Sequence, residues 1–223
     1  MTSLHPGTFE FLKAINEHNT RSYFSLIKPL YSEIHDQLID FVAQLLQRIN
    51  TFDPIDIDPK KCLFRIYRDA RRIKPWDQLY KSNFGFAIGQ WGKSWSRPKY
   101  YVHIESWHSF FGGGVYRTSP AELKAIRYYL AAHGGKYHQV TTSLPFKKHF
   151  WQVTGASTTR HPAGIPHTLN DELVTMKQHL VYRYYTDDDM LSGDLIDRLT
   201  YDCMTIKPRF DVLNDWFDFT KQI

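Results

Sequence analysis

Three strand-like runs between Phe84 and Tyr116 follow one another with short links and no helical pattern between them, and this succession narrows the possible folds most. The runs are Phe84 to Gln90, Lys99 to Ser106 and Phe110 to Tyr116, each rich in the aromatic and branched residues that suit a pleated, half-buried surface. Parallel strands need a crossover of about a dozen residues, usually a helix, so short links predict antiparallel pairing. Leu63 to Arg68 reads as a further strand ahead of these, and the four together predict an antiparallel meander. Met176 to Tyr185 also has strand character.

Helices are predicted on both sides of this sheet. Thr8 stands as a cap before FEFLKAIN, and Asn19 or Thr20 as a cap before a second helix. From Ile27 onward Leu30, Tyr31, Ile34, Leu38, Phe41, Val42, Leu45 and Ile49 recur at three- and four-residue steps, marking one buried face. Pro29 is expected to kink this helix or to begin it, leaving Ser22 to Ile27 as a separate turn. Thr51 to Lys61, with its two prolines and three aspartates, reads as the connection into the sheet. Ser119, Pro120 and Glu122 form a helix-start signature, and Gly134 and Gly135 are expected to stop that helix. Further on, KHFWQVTG is expected to be a strand, RHPAGIPH a loop, and the tail after Asp187 to Asp189 helical with a break near Pro208. The expected fold class is therefore α+β, an antiparallel sheet of four or more strands flanked by N-terminal and C-terminal helices, in a single domain over residues 1–223.

Composition agrees with a folded chain, since 42% apolar residues in 223 can offset the conformational entropy lost on folding. Lys and Arg outnumber Asp and Glu by 28 to 23, a mild basicity that favours anionic partners without the concentration usual in a dedicated nucleic-acid binder. Cys62 and Cys203 are too few for a disulfide framework, which suits a reduced, cytoplasmic setting. The N-terminus lacks a basic stretch followed by an apolar one, and no segment approaches the ~20 apolar residues that span a bilayer, so no membrane partner is expected.

Leu63 to Lys81, LFRIYRDARRIKPWDQLYK, sets Arg65, Arg68, Arg71, Arg72, Lys74 and Lys81 among aromatic and apolar residues. Guanidinium groups are planar forks suited to carboxylate and phosphate, so such a cluster needs anionic partners, either within the protein or in a ligand. Two readings follow. Arg65, Arg68, Asp69, Arg71 and Arg72 with Tyr80 and Lys81 ring a pocket for a small anionic ligand, or the arginines pair with Asp69 or Glu105 in a structural salt-bridge network. A third reading is a nucleic-acid binding module in which Trp76, Trp91 and Trp95 stack on bases.

RIYRDAR followed by Tyr80-Lys81 resembles the Arg-x-x-Arg-Asp-x-Arg signature, with a later Tyr-Lys, of a bacterial family named domain of unknown function 2461. FLKAINEHNTRSYF, YYVHIE, FFGGGVY with its following helix and the proline-containing tail resemble that family's layout, so the likeness runs over nearly the whole chain. Arg72 stands where the family has phenylalanine and Leu79 where it has proline, and the Asp-Lys pair is replaced near Trp76-Asp77. The resemblance concerns the layout of the chain, and since the family has no established function it implies no particular activity, cofactor or substrate for this one.

Within Lys99 to Ser106, alternation puts His103 and Glu105 on one face as a candidate base and its partner. Adding His108 gives three potential metal-ligating residues in six positions, a pattern that a solvated or salt-bridged sheet face produces as readily, and no metal is assigned. Gly112-Gly113-Gly114 matches neither the dinucleotide fingerprint nor the phosphate loop, and marks a bulge or a close approach of another backbone or ligand. His161, His167 and His179 are irregularly spaced, and with a turn-rich loop around the first two they read as lone solvated histidines rather than a zinc site. No Gly-x-Ser-x-Gly elbow is present, and no motif calls for a cofactor.

Overall fold

The computed structural model describes residues 3–69, 71, 74, 76–90, 92, 97–150 and 152–220, with 216–220 described by backbone alone. Arg72, Trp91 and Trp95 lie outside the described residues. The protein is α+β, with an antiparallel sheet of β1 (Phe84–Ile88), β2 (Lys99–Ile104), β3 (Phe110–Val115) and β4 (His179–Tyr184) in that spatial order. The three consecutive runs are thus strands, and β4 falls within the expected Met176 to Tyr185.

Leu63 to Arg68 is not a strand of this sheet. It makes isolated antiparallel bridges, Leu63 with Phe86 and Tyr67 with Tyr80. Its backbone hydrogen bonds are divided between two partners: Phe64 N–H donates to Gly85 O at 2.9 Å, whereas Arg68 N–H donates to Leu79 O at 3.0 Å and Lys81 N–H to Ile66 O at 2.9 Å. No consecutive ladder forms with either, because the alternation of this segment serves two neighbours in turn.

The N-terminal helices are α1 (Thr8–Glu17) and α2 (Arg21–Ile49), followed by the short α3 (Pro59–Cys62). Gly7, rather than Thr8, caps α1, and Thr8 is its first buried residue. The Thr20 hydroxyl accepts from Tyr23 N–H at 3.2 Å, fixing the start of α2. Pro29 neither ends nor restarts this helix, which runs unbroken through it. The ring lies on the exposed side, so it costs about 3 kcal/mol and one hydrogen bond. Burial of Phe24 before it and of Ile34, Leu38 and Phe41 after it holds both halves in place.

The later helices are α4 (Pro120–Thr141), α5 (Leu144–Phe150), α6 (Asp171–Thr175), α7 (Asp187–Leu191) and α8 (Leu195–Thr220). Ser119 and Glu122 close a reciprocal capping box at the start of α4, as expected. That helix does not stop at Gly134 and Gly135, and the expected break of α8 at Pro208 is absent. Pro208 is exposed while Ile206, Arg209 and Phe210 beside it are buried, the same arrangement as at Pro29. KHFWQVTG begins in α5 rather than in a strand, because Phe146 and Phe150, four residues apart, share one buried helical face. No helix of the described residues is long and apolar enough to cross a membrane.

The chain divides into two compact units, one of Met1–Gly92, Tyr101–Phe111 and Tyr184–Tyr201, the other of Lys93–Tyr100, Gly112–Arg183 and Asp202–Ile223. In the first, α1 and α2 lay aromatic rings on β1: Phe11 stacks on Phe84 at 5.6 Å and Phe41 meets Phe86 at 6.2 Å. Each buried ring of this kind contributes about 1.5–3 kcal/mol. In the second, Val115, Ile126, Leu130, Tyr137, Leu173 and Leu213 belong to one apolar cluster. The glycine run of β3 permits close approach there, since a Cβ on Gly113 would stand 2.2 Å from Ile206 Cδ1 and one on Gly114 1.9 Å from His179 O.

Candidate functional site

In the first unit, the segment from Ile66 to Lys81 doubles back on itself through the bridge between Tyr67 and Tyr80. A second clip holds it to the helices: the Asn19 carboxamide donates to Ile15 O at 3.0 Å and Tyr80 O at 3.1 Å, and accepts from Tyr80 N–H at 2.9 Å. Tyr80 is thereby placed against α2, where its ring stacks on Phe24 at 4.3 Å and 15°. Tyr67 completes a three-ring cluster, 5.5 Å from Phe24 and 5.4 Å from Tyr80.

Beside these rings is a cleft of about 700 Å³, lined by Arg21, Phe24, Ser25, Lys28, Tyr67, Arg68, Lys74, Asp77, Leu79 and Tyr80. Arg21, Phe24, Ser25 and Lys28 are spaced three, four and seven residues along α2, so they share one helical face. Among the described residues, four cations therefore face one carboxylate, and Asp77 already accepts from Lys74 N–H at 2.9 Å. Arg68 Nε leans on Tyr80 O at 3.4 Å. Burial raises the Tyr80 phenol above its ordinary value, Tyr67 adds to that, and the Arg21 charge pulls it back. The arrangement suits a small anion carrying a flat or apolar portion.

The expected site residues separate on folding. Arg68 and Tyr80 line this cleft, whereas Arg65, Asp69, Arg71 and Lys81 do not. Arg71 forms a fork on Asp69, Nε to Oδ1 at 3.0 Å and Nη2 to Oδ2 at 2.9 Å, and that carboxylate raises the Arg71 pKa. Lys81 Nζ lies over the Phe64 ring at 5.8 Å. Arg65, Arg68 and Arg71 are all exposed, so no buried network is built on them. The sequence reading missed Arg21, Phe24 and Lys28; the cations and aromatic recurring on one turn-spaced stripe of α2 were the available signal. Of the two residues expected as a cap, Thr20 takes that role and Asn19 positions Tyr80.

His103 and Glu105 come together elsewhere in the same unit. His103 Nε2 is 3.0 Å from Glu105 Oε2, its Nδ1 is 3.0 Å from Tyr101 Oη and 3.4 Å from Asn83 Nδ2, and its ring stacks on Phe110 at 4.8 Å. Ser82 Oγ donates to Glu105 Oε1 at 2.6 Å. Burial pushes the Glu105 carboxyl up, but the hydrogen bonds from Ser82 and His103 and the nearby His103 and His108 outweigh it and leave the pKa below its usual value. Glu105 lines a cleft of about 420 Å³ with Leu12, Lys13, Asn16, Ser82, Ser106, Trp107 and His108. Trp107 holds φ at 65°, is 86% exposed, and donates its N–H to Asp187 Oδ1 at 3.0 Å. Neither His103 nor Glu105 lines the arginine cleft.

Among known proteins, a family model described as conserved hypothetical protein (DUF2461) matches residues 7–211. No curated protein and no solved structure matches the chain. With all but short ends of its sequence matched, the chain belongs to the DUF2461 family of conserved hypothetical proteins.

Proposed function

We propose that the protein binds a small anionic ligand in the cleft between α2 and the 66–81 segment. Arg21, Lys28, Arg68 and Lys74 take the charged group, and Phe24, Tyr67 and Tyr80 take a flat portion of the same molecule. The observation that carries this reading is the imbalance, among the described residues, of four cations to one acid around a cluster of three rings. Phosphate and carboxylate are the fitting groups, since guanidinium forks bind both through paired hydrogen bonds.

Phenyl phosphate, benzoate and inorganic phosphate separate the two contributions. Thermal shift and calorimetry should show phenyl phosphate binding at least about tenfold more tightly than inorganic phosphate, the rings supplying about 1.4 kcal/mol. Arg68→Ala and the pair Arg21→Ala with Lys28→Ala should remove that binding while changing the unliganded melting temperature little, because all three residues are exposed. No response to any of the three probes, or an unchanged response in the variants, would overturn the reading.

A further inference from the structure

The loop of residues 159–170, in the second unit, brings together histidines that the sequence leaves apart. Tyr128 Oη donates to Gly164 O at 2.5 Å, Asn170 Nδ2 to Ala131 O at 3.1 Å, and Ile165 packs with Ala131 and Val174. These contacts tie the middle of the loop and its C-terminal end to α4 and α6. Thr168 N–H donates to Asp171 Oδ1 at 2.8 Å, fixing the carboxylate at the loop's exit.

His161 and His167 are stacked within this frame, ring centroids 3.9 Å apart and 28° from parallel. His167 Nδ1 lies 2.7 Å from Asp171 Oδ2, and His161 Nε2 lies 3.4 Å from Asp171 Oδ1. One ligating atom from each of the three residues lies within 4.8 Å of the others. His161 Nε2 is buried yet makes no hydrogen bond, so the atom aimed at this carboxylate has no satisfied partner among the described residues.

We infer that His161, His167 and Asp171 form a binding site for a divalent transition-metal ion of the zinc class. Bonds of about 2.0–2.2 Å to nitrogen and oxygen in a tetrahedral arrangement put neighbouring ligand atoms roughly 3.3–3.5 Å apart. His161 Nε2 stands at that distance, 3.4 Å, from Asp171 Oδ1; His167 Nδ1 has to open from 2.7 Å to Oδ2, and the three ligating atoms, one from each residue, have to draw in from within 4.8 Å of one another. Two imidazoles and a carboxylate suit Zn²⁺, Co²⁺ or Ni²⁺ rather than Mg²⁺ or Ca²⁺, which prefer all-oxygen shells. Three protein ligands leave one position for water or an added ligand. Bound metal would also clip the 159–170 loop to the start of α6.

The test uses the full chain after chelator treatment. Calorimetry with Zn²⁺ and visible absorption with Co²⁺ should show one ion per chain, with a raised melting temperature and no such response to Mg²⁺. His161→Ala and Asp171→Asn should each weaken Zn²⁺ binding at least about tenfold, the range seen when even supporting groups of a metal site are lost. Asparagine retains an oxygen to accept from Thr168, and melting in chelator checks that each variant is folded. His133→Ala, an exposed histidine elsewhere, should bind as the wild type does. Absence of stoichiometric Zn²⁺ binding, equal binding by His161→Ala and wild type, or equal binding of Mg²⁺ would overturn the assignment.

Discussion

Arg209 is completely buried in α8, and its guanidinium donates to neutral oxygens: Tyr137 Oη at 2.8 Å, Gly113 O at 3.4 Å and the carbonyl of His179. The cation tethers β3, β4 and α4 at once, and the glycines of β3 let it reach in. His179, expected to be solvated, is instead buried in this interior, its Nε2 lacking a hydrogen-bond partner among the described residues. Burial first, then the charges of Arg209 and Arg127, lower its pKa to about 3 from the ordinary 6.5. Protons therefore prefer the unfolded chain. Stability from this residue is fully present above about pH 6.5 and declines as pH falls toward 3, by up to about 1.4 kcal/mol for each pH unit. Denaturant midpoints from pH 7 to pH 5 should fall more steeply in the wild type than in His179→Gln, which cannot titrate. Parallel profiles would show that the ring is not held neutral. None of this was legible beforehand, because a charged residue after Pro208 reads as a solvated helix face until its partners, two strand carbonyls and a tyrosine, are known. The glycine run was legible as one of two alternatives, and close approach is the one that β3 uses.

Helix interiors carry the clearest differences between expectation and structure, and α4 shows why. Gly134 and Gly135 have the sequence mark of a helix end, yet the helix continues to Thr141. A Cβ on Gly134 would meet the Asn170 carboxamide at 2.3–2.6 Å, so this glycine exists for the close contact through which Asn170 Nδ2 reaches Ala131 O. A Cβ on Gly135 would have no neighbour within 4 Å, and the residue is exposed. The two neighbours should thus respond oppositely to the same change. Gly135→Ala should stabilise by up to about 1 kcal/mol through helix propensity alone, while Gly134→Ala should destabilise by about 1–3 kcal/mol through overpacking. Urea titration of the two variants checks both signs, and a stabilised Gly134→Ala would show that the Asn170 contact contributes nothing. Strand pairs and capped starts were legible because their determinants are local: Ser119 with Glu122, Thr20, and the short links of β1 to β3. Prolines and glycines within helices were misleading because long-range packing overrides the local penalty, and Leu63 to Arg68 because its alternation serves two different partners.

For the whole molecule, the distribution of charge bears on the choice between the proposed compact anion site and a nucleic-acid surface. The net charge of +5 is spread over a chain with 28 cations and 23 acids, whereas among the described residues four cations and one acid line the cleft beside α2. The arginine segment pointed to anions, but only folding adds Arg21 and Lys28, distant in sequence, and only folding draws His161, His167 and Asp171 into one cluster. Long-range assembly of the cleft leaves no spacing rule for a sequence to display, whereas His161, His167 and Asp171 are near neighbours in sequence that meet through the turns of one loop. A ligand held by one charged group releases few counterions, so raising salt from 50 to 200 mM should weaken phenyl phosphate binding by about tenfold or less. An extended strand contacting many cations would lose far more, since each neutralised phosphate adds about 0.7–0.9 to the slope of log affinity against log salt. Exposed Trp76 and Trp107 offer stacking faces, so a labelled 12-nucleotide single strand is the fair competitor. It should bind no more tightly than phenyl phosphate at 150 mM salt and should be displaced by it. A strand that binds more tightly, with a slope requiring four or more phosphates and with no loss in Arg68→Ala, would move the function from the cleft to the open basic surface.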